Sequence, residues 1–128
     1  MNGMWKLVNG RLIQTSDETR SRYKTRISAN IIEQLKQLSI QHHSHIGYLL
    51  ENGYINILQQ GAITYDKKNR PKDRIEFRTT CDAELLEHLR DFAKRQQLNL
   101  NDVIEASVAY INLEDVKDAH YRYRVEKG

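Results

Sequence analysis

The feature that most constrains this chain is that it repeats. Shifted by 54 residues, "YKTRISANIIEQLKQLS" (23–39) lies over "FRTTCDAELLEHLRDFA" (77–93). Thr25/Thr79, Ala29/Ala83, Glu33/Glu87 and Leu35/Leu89 are identical. Tyr23/Phe77, Lys24/Arg78, Ser28/Asp82, Ile31/Leu85, Ile32/Leu86, Lys36/Arg90 and Leu38/Phe92 keep their chemistry. More telling than identity is the order of what recurs: a two-residue alternation, a capping residue, then a helical apolar stripe.

In the first copy Arg22, Lys24 and Arg26 alternate with Tyr23, Thr25 and Ile27. In the second, Glu76, Arg78 and Thr80 alternate with Phe77, Thr79 and Cys81. Alternation of this kind sends residues i and i+2 to one face of a strand, so each strand has a polar face and a core face. Ser28 and Asp82 suit the N-cap of a helix, where a side-chain oxygen accepts a free backbone N–H of the first turn. First helices are predicted over 29–42 and 83–96. Their stripes are Ile31, Ile32, Leu35, Leu38 and Leu85, Leu86, Leu89, Phe92.

Polar turns, "QHHSH" (41–45) and "RQQLN" (95–99), follow. Ser44 and Asn99 are then the expected caps of second helices. These carry Tyr48, Leu49 and Ile55 in one copy and Val103, Ile104, Val108 and Ile111 in the other. Matching the second helices requires a one-residue shift. Gly47 and Gly53 each weaken the first of them by about 1 kcal/mol relative to Ala; close helix packing and an irregular helix are both compatible with them.

The resulting organisation is an N-terminal extension (1–21), a first unit (22–58), a basic linker (59–74), a second unit (75–112) and a polar, basic tail (113–128), with 22–112 as a single domain. The extension has short extended pieces around Trp5–Val8 and Arg11–Gln14. Gly61 is placed to stop a helix, and Pro71 suits a connector rather than a helix interior. The linker is long enough to return the second strand beside the first.

Hydrophobic residues make up 39% and charged residues 29% of the 128 positions, the balance of a soluble protein with a modest core. No run of 18 apolar residues occurs and the N-terminus lacks a secretory signal, so no membrane association is expected. With one cysteine, Cys81, no internal disulfide can form. A cytoplasmic, nucleoid-associated bacterial protein is the expectation. The net charge of +3 is a weak hint of a polyanionic partner. Its distribution is stronger: positive charge gathers at Arg20, Arg22, Lys24 and Arg26, at Lys67, Lys68, Arg70, Lys72, Arg74 and Arg78, and at Arg122, Arg124 and Lys127.

The segments "TRISANIIEQL" and "RTTCDAELLEHL", with the second-helix starts "SHIGYLLEN" and "NLNDVIEAS", resemble the ribbon-helix-helix family, to which the Arc and Met repressors belong. The resemblance covers about 22–58 and 75–112. It implies two strands paired antiparallel over four helices. Because this chain holds both halves, the expected fold is mainly α with a short two-stranded antiparallel ribbon, a tandem ribbon-helix-helix forming an intrachain pseudo-dimer, with 22–27 pairing with 76–81.

The resemblance also implies a sequence-specific double-stranded DNA-binding protein, a bacterial or phage transcriptional regulator or repressor, with the ribbon in the major groove. The outward residues Arg22, Lys24, Arg26, Glu76, Arg78 and Thr80 are then the expected base contacts. The starts of the second helices, with Ser44 and His45 and with Asn99 and Asn101, are the expected phosphate contacts. Alternatives stay open. Lys and Arg on a strand can serve merely to prevent edge pairing. An antitoxin-like or adaptor module, with a protein partner held by the extension or tail, and a general nucleic-acid binder are the other readings.

His42, His43 and His45 sit in a polar turn without a neighbouring Cys or carboxylate, which favours an exposed turn over a metal site. "HYRYR" (120–124) suits base stacking or a solvated tail equally. Cys81 falls where the first copy has Ile27 and reads as a small buried apolar residue. No nucleophile, phosphate-loop or dinucleotide motif appears, so neither catalysis nor a cofactor is expected.

Overall fold

A strand with one apolar face needs a partner strand and a platform, and both come from this chain. The structure, a computed structural model, describes residues 5–8, 11–14 and 20–116. The elements run β1 (Trp5–Val8), β2 (Arg11–Gln14), β3 (Arg20–Ser28), α1 (Ala29–His42), α2 (Ile46–Gln60), β4 (Arg74–Asp82), α3 (Ala83–Arg95) and α4 (Leu100–Ser107). The fold is mainly helical. β1 and β2 form an antiparallel hairpin from Trp5↔Gln14 to Val8↔Arg11. β3 pairs antiparallel with β4 from Arg20↔Asp82 to Ser28↔Arg74. The expected segments 22–27 and 76–81 both lie within these strands, but the register sets 22–27 against 75–80, one residue from the expected limits, and the pairing extends beyond them at both ends.

β3 and β4 each run directly into a helix at the expected cap. The Ser28 hydroxyl accepts the Ile31 N–H (3.3 Å) and the Asp82 carboxylate accepts the Leu85 N–H (3.0 Å). The core lies between the ribbon and the four helices. Ile27 and Cys81 enter it from the strands, Ile32, Leu35, Leu86, Leu89 and Phe92 from α1 and α3, and Leu49, Leu50, Tyr54, Ile57, Val103 and Ile104 from α2 and α4. On the ribbon's core side, the Tyr23 hydroxyl is hydrogen-bonded to that of Tyr54. Burial above all pushes both phenols well above their ordinary range.

The second helices correct the sequence reading. His45, not Ser44, stands at the N-cap position of α2, without a side-chain hydrogen bond to the first turn, and Asn99 stands at that of α4. His45 and Asn99 are 54 positions apart, so the repeat runs through the second helices without a shift. Ser44 instead belongs to the turn that closes α1. Its N–H donates to the Ser39 carbonyl (3.2 Å), its own carbonyl accepts the Ser39 hydroxyl (2.5 Å), and it is only 3% exposed. The turn residues with left-handed backbone, His43 (φ 49°) and Gln97 (φ 59°), keep the same 54-residue spacing.

Three expected stripe members fall elsewhere. Ile55 is 44% exposed, because α2 turns Tyr54 and Ile57 inward instead. α4 ends at Ser107, so Val108 opens a 3-10 turn (Val108–Tyr110) and Ile111 lies beyond it. Asn56 Nδ2 donates to the Tyr110 carbonyl (2.8 Å) and Asn52 Oδ1 accepts the Asn112 N–H (2.6 Å), so α2 holds the chain where it leaves the helix. Gly53 serves close packing: a Cβ there would stand 2.5 Å from the Ser107 carbonyl oxygen. The tail's start contains a 3-10 turn at Leu113–Asp115; "HYRYR" lies outside the described residues.

Two buried carboxylates join the units. Glu51 of α2 takes the Arg20 guanidinium on both oxygens (3.0 and 2.9 Å) and accepts the Asp82 N–H (2.8 Å). Glu105 of α4 takes Arg74 (2.5 and 3.1 Å) and accepts the Ser28 N–H (2.8 Å). Arg20 and Arg74, and likewise Glu51 and Glu105, are 54 residues apart. Each carboxylate thus holds the outer end of its own unit's strand and the first-helix cap of the other unit.

The linker is anchored by Asp102, which is fully buried. Its carboxylate accepts from Arg70 (3.0 and 2.8 Å), Arg74 (2.8 Å), the Tyr65 hydroxyl (3.0 Å) and the Asn99 N–H (3.0 Å). Burial pushes this carboxyl up, but Arg70 and Arg74, then the Asn99 N–H and Tyr65, outweigh it and hold the group well below the carboxylate range. A second linker contact caps α1: Asp73 Oδ2 accepts the Asn30 N–H (3.1 Å) and the Ser28 hydroxyl (3.0 Å).

Two stability predictions follow from these carboxylates. Glu51→Gln and Glu105→Gln each remove a buried charge and leave a guanidinium and an amide N–H short of an acceptor. Each should lower urea stability by about 2–4 kcal/mol. Glu87→Gln, at the exposed pair with Arg90, should change it by less than about 0.5 kcal/mol. Asp102→Asn should cost about 2–3 kcal/mol at neutral pH, below the full buried-pair value because Arg70 and Arg74 keep some solvent contact. Asp102's native carboxyl is held below its unfolded value, so its stabilisation is whole above about pH 4 and is lost as pH falls toward the native value. The deficit of Asp102→Asn, followed by denaturation at successive pH values, should therefore shrink below about pH 4.

Candidate nucleic-acid interface

The strand alternation read from the sequence is the alternation of exposure along β3 and from Glu76 to Arg78 on β4, but it breaks at Thr80. Arg22, Lys24 and Arg26 are exposed on β3, while Tyr23 and Thr25 are half-buried and Ile27 is buried. On β4, Glu76 and Arg78 are exposed, Phe77, Thr79 and Thr80 are half-buried, and Cys81 is buried. The register brings these residues together on one ribbon: Arg22 stands opposite Thr80, Lys24 opposite Arg78, and Arg26 opposite Glu76. Lys24 and Arg78, equivalent in the 54-residue repeat, therefore face each other at its centre.

The outward side chains differ in how they are held. The Arg22 and Lys24 side chains make no hydrogen bond or ion pair with any described residue. The Arg26 guanidinium donates to the Arg74 carbonyl (2.8 Å). Arg78 Nε donates to Glu76 Oε2 (2.9 Å), with both side chains largely in solvent. Thr80 accepts from Arg20 on its hydroxyl (3.2 Å) and on its carbonyl (3.0 Å). A shallow depression lined by Arg22, Tyr23, Lys24, Arg78, Thr79 and Thr80 lies over this part of the ribbon.

The starts of the second helices lie beside the ribbon but are unlike each other. At α2, His45 is exposed, its ring edge-on to Tyr48 (5.3 Å between centroids), and the first turn has no acidic residue. A second groove, lined in part by Arg20, His45, Gly47 and Thr80, connects this helix start to the ribbon. Gly47 makes room for it: a Cβ there would stand 3.1 Å from the Thr80 carbonyl oxygen and 3.3 Å from Arg20 Nη2. At α4, Asn99 is exposed, but the Asp102 carboxylate already takes its N–H. Asn101 turns toward the ribbon and donates to the Arg26 carbonyl (3.0 Å). Ser44 is buried, so of the four expected phosphate contacts His45 and Asn99 are the ones presented at exposed helix starts.

Sequence reasoning missed the residues that support this surface: Arg20, Glu51, Arg74, Asp102 and Glu105. Arg20 and Arg74 were counted only as charge. The signal was available, because carrying the 54-residue shift onward pairs Arg20 with Arg74 and Glu51 with Glu105. Cys81 is pushed up to about 12, first by burial and then by the charge of Glu51, which keeps the thiol protonated and unreactive. His42, His43 and His45 are exposed, and no group of three metal-competent side chains gathers among the described residues. Among those residues, no helix is long and apolar enough to cross a membrane. Compared with known proteins, the chain matches no family model, and no curated protein or solved structure matches it significantly.

Proposed function

We propose that the chain is a sequence-specific double-stranded DNA-binding protein, a bacterial or phage transcriptional regulator of the ribbon-helix-helix kind with both copies of the unit fused. One observation carries this reading. A single chain supplies both strands of an antiparallel ribbon whose solvent face presents Arg22, Lys24, Arg26 and Arg78 against the single carboxylate of Glu76. The 54-residue equivalences of Arg20/Arg74, Glu51/Glu105, His43/Gln97 and His45/Asn99 support the pseudo-dimer.

A two-stranded ribbon fits the major groove, where each base pair shows its own pattern of donors and acceptors. Arginine can bond both O6 and N7 of guanine, lysine can donate to the same edge, threonine can touch a thymine methyl, and Glu76 can accept from cytosine N4. The open start of α2 at His45 would then sit against the phosphate backbone and set the position of the ribbon without reading sequence. Regulation would follow from occupancy of an operator, with no chemical step.

The test is binding to genomic fragments in excess competitor DNA. Lys24→Ala and Arg26→Ala should each reduce the preference for the selected fragment by about 5- to 150-fold. Both side chains are exposed, so the urea transitions should stay within about 0.5 kcal/mol of the parent. Unchanged affinity in both variants overturns the ribbon reading.

A further inference from the structure

We infer that the ribbon reads a non-palindromic duplex, one chain to one site. The inference rests on the DNA-binding reading above and deepens it. The pseudo-dyad of the ribbon passes between Lys24 and Arg78, which the 54-residue repeat makes equivalent and the register pairs directly. On the same arithmetic Arg22 is the equivalent of Glu76, and Arg26 of Thr80. The strand register is therefore symmetric about this point, but the chemistry is not. One half presents Arg22 with Thr80, and the other presents Arg26 with Glu76.

A palindromic duplex offers the same base edge to two dyad-related positions. An edge of acceptors, such as guanine O6 and N7, satisfies Arg22 but places acceptors against the Glu76 carboxylate. An edge with an amino donor, such as cytosine N4, satisfies Glu76 but repels the Arg22 guanidinium. No single base edge suits both: where Arg22 takes guanine, Glu76 in the other half must reach across to the paired cytosine, so the two halves cannot meet a palindrome in the same way.

The local geometry deepens the difference. Glu76 draws the Arg78 guanidinium to itself (2.9 Å), and Arg26 is held on the Arg74 carbonyl (2.8 Å). Arg22 and Lys24 have no such partner among the described residues. The shallow depression beside them is lined from both strands on the Arg22/Thr80 half and includes neither Arg26 nor Glu76. Both strands, both capping carboxylates and all four helices come from one chain, so no second copy is required to complete the reading surface.

Site selection by the full chain from a randomised duplex pool, with competitor DNA, tests this. The selected duplex is then compared with the two palindromes made by duplicating each half, and the mass of each complex is measured. A non-palindromic consensus, one chain per duplex, and palindromes weaker by at least about tenfold are expected. Glu76→Arg should move the preference toward the palindrome that duplicates the half read by Arg22. A palindromic consensus, equal affinity for either symmetrised duplex, two chains per duplex, or no shift in Glu76→Arg overturns the inference and leaves the DNA-binding reading standing. Enrichment of no sequence over competitor overturns both.

Discussion

The structure depends on two buried carboxylates, because the ribbon cannot stand alone. A two-stranded sheet is marginal in water without a platform, and its register is only as well defined as the contacts that hold its ends. Glu51 and Glu105 supply those contacts at opposite ends. Each accepts a guanidinium from the start of one strand and an amide N–H from the end of the other, where the chain turns into a helix. A slip of one residue would pull both arginines out of reach. It would also turn Tyr23 and Phe77 outward and the charged residues inward. Removing charge from water is costly, and such pairs often contribute more to the choice of one arrangement than to net stability. Here the arrangement chosen is the register that displays Lys24 opposite Arg78.

Within that frame the two units differ in their contacts. Arg20 lies over the Tyr48 ring at 5.4 Å, whereas Arg74 meets Asp102 at the equivalent position. Tyr23 and Tyr54 share a hydrogen bond where the second unit has Phe77 and Val108. The exchange of an aromatic for a carboxylate at position 102 has a topological use. It gives the linker's Tyr65 and Arg70 a buried anchor, so the connection that makes the second strand intrachain is itself part of the fold. A linker of this length converts strand pairing from a bimolecular to an intramolecular event, with a closure cost that grows only slowly with length. Because one chain supplies both strands, a residue on one strand can differ from its counterpart on the other.

What the sequence made legible was local. The alternation before Ser28 and Asp82, the caps themselves and the stripes of α1 and α3 depend on neighbours within a turn or a strand, and the structure follows them. The second helices were harder to register. "QHHSHIG" and "RQQLNLN" share no capping residue at equivalent positions, and Ser44, a good cap by composition, is consumed by the α1 turn. Glu51 and Glu105 were invisible for another reason. A glutamate on an amphipathic helix is ordinarily solvated, and only contacts 31 residues away for Arg20–Glu51 and 77 residues away for Ser28–Glu105 bury these two. The outward face was readable because alternation alone decides it; which of its cations are already bound was not.

That last distinction bears on why the face is charged at all. Charge that only discourages edge pairing needs no particular sign or place, and a neutral or mixed face would do it without internal repulsion. This ribbon instead sets Lys24 directly against Arg78 at its centre, a like-charge cross-strand pair that opposes folding. Glu76 offsets only Arg78, from the same strand, and leaves Arg22 and Lys24 unneutralised by any described residue. Arg20 and Arg74, by contrast, are absorbed into the scaffold, so the chain has the means to pair its arginines where stability asks for it. At the centre of a surface that is otherwise consistently built, this pair breaks a local rule with no gain to folding. A polyanion laid along the ribbon would relieve that repulsion, and the duplex major groove also offers the acceptors these side chains lack.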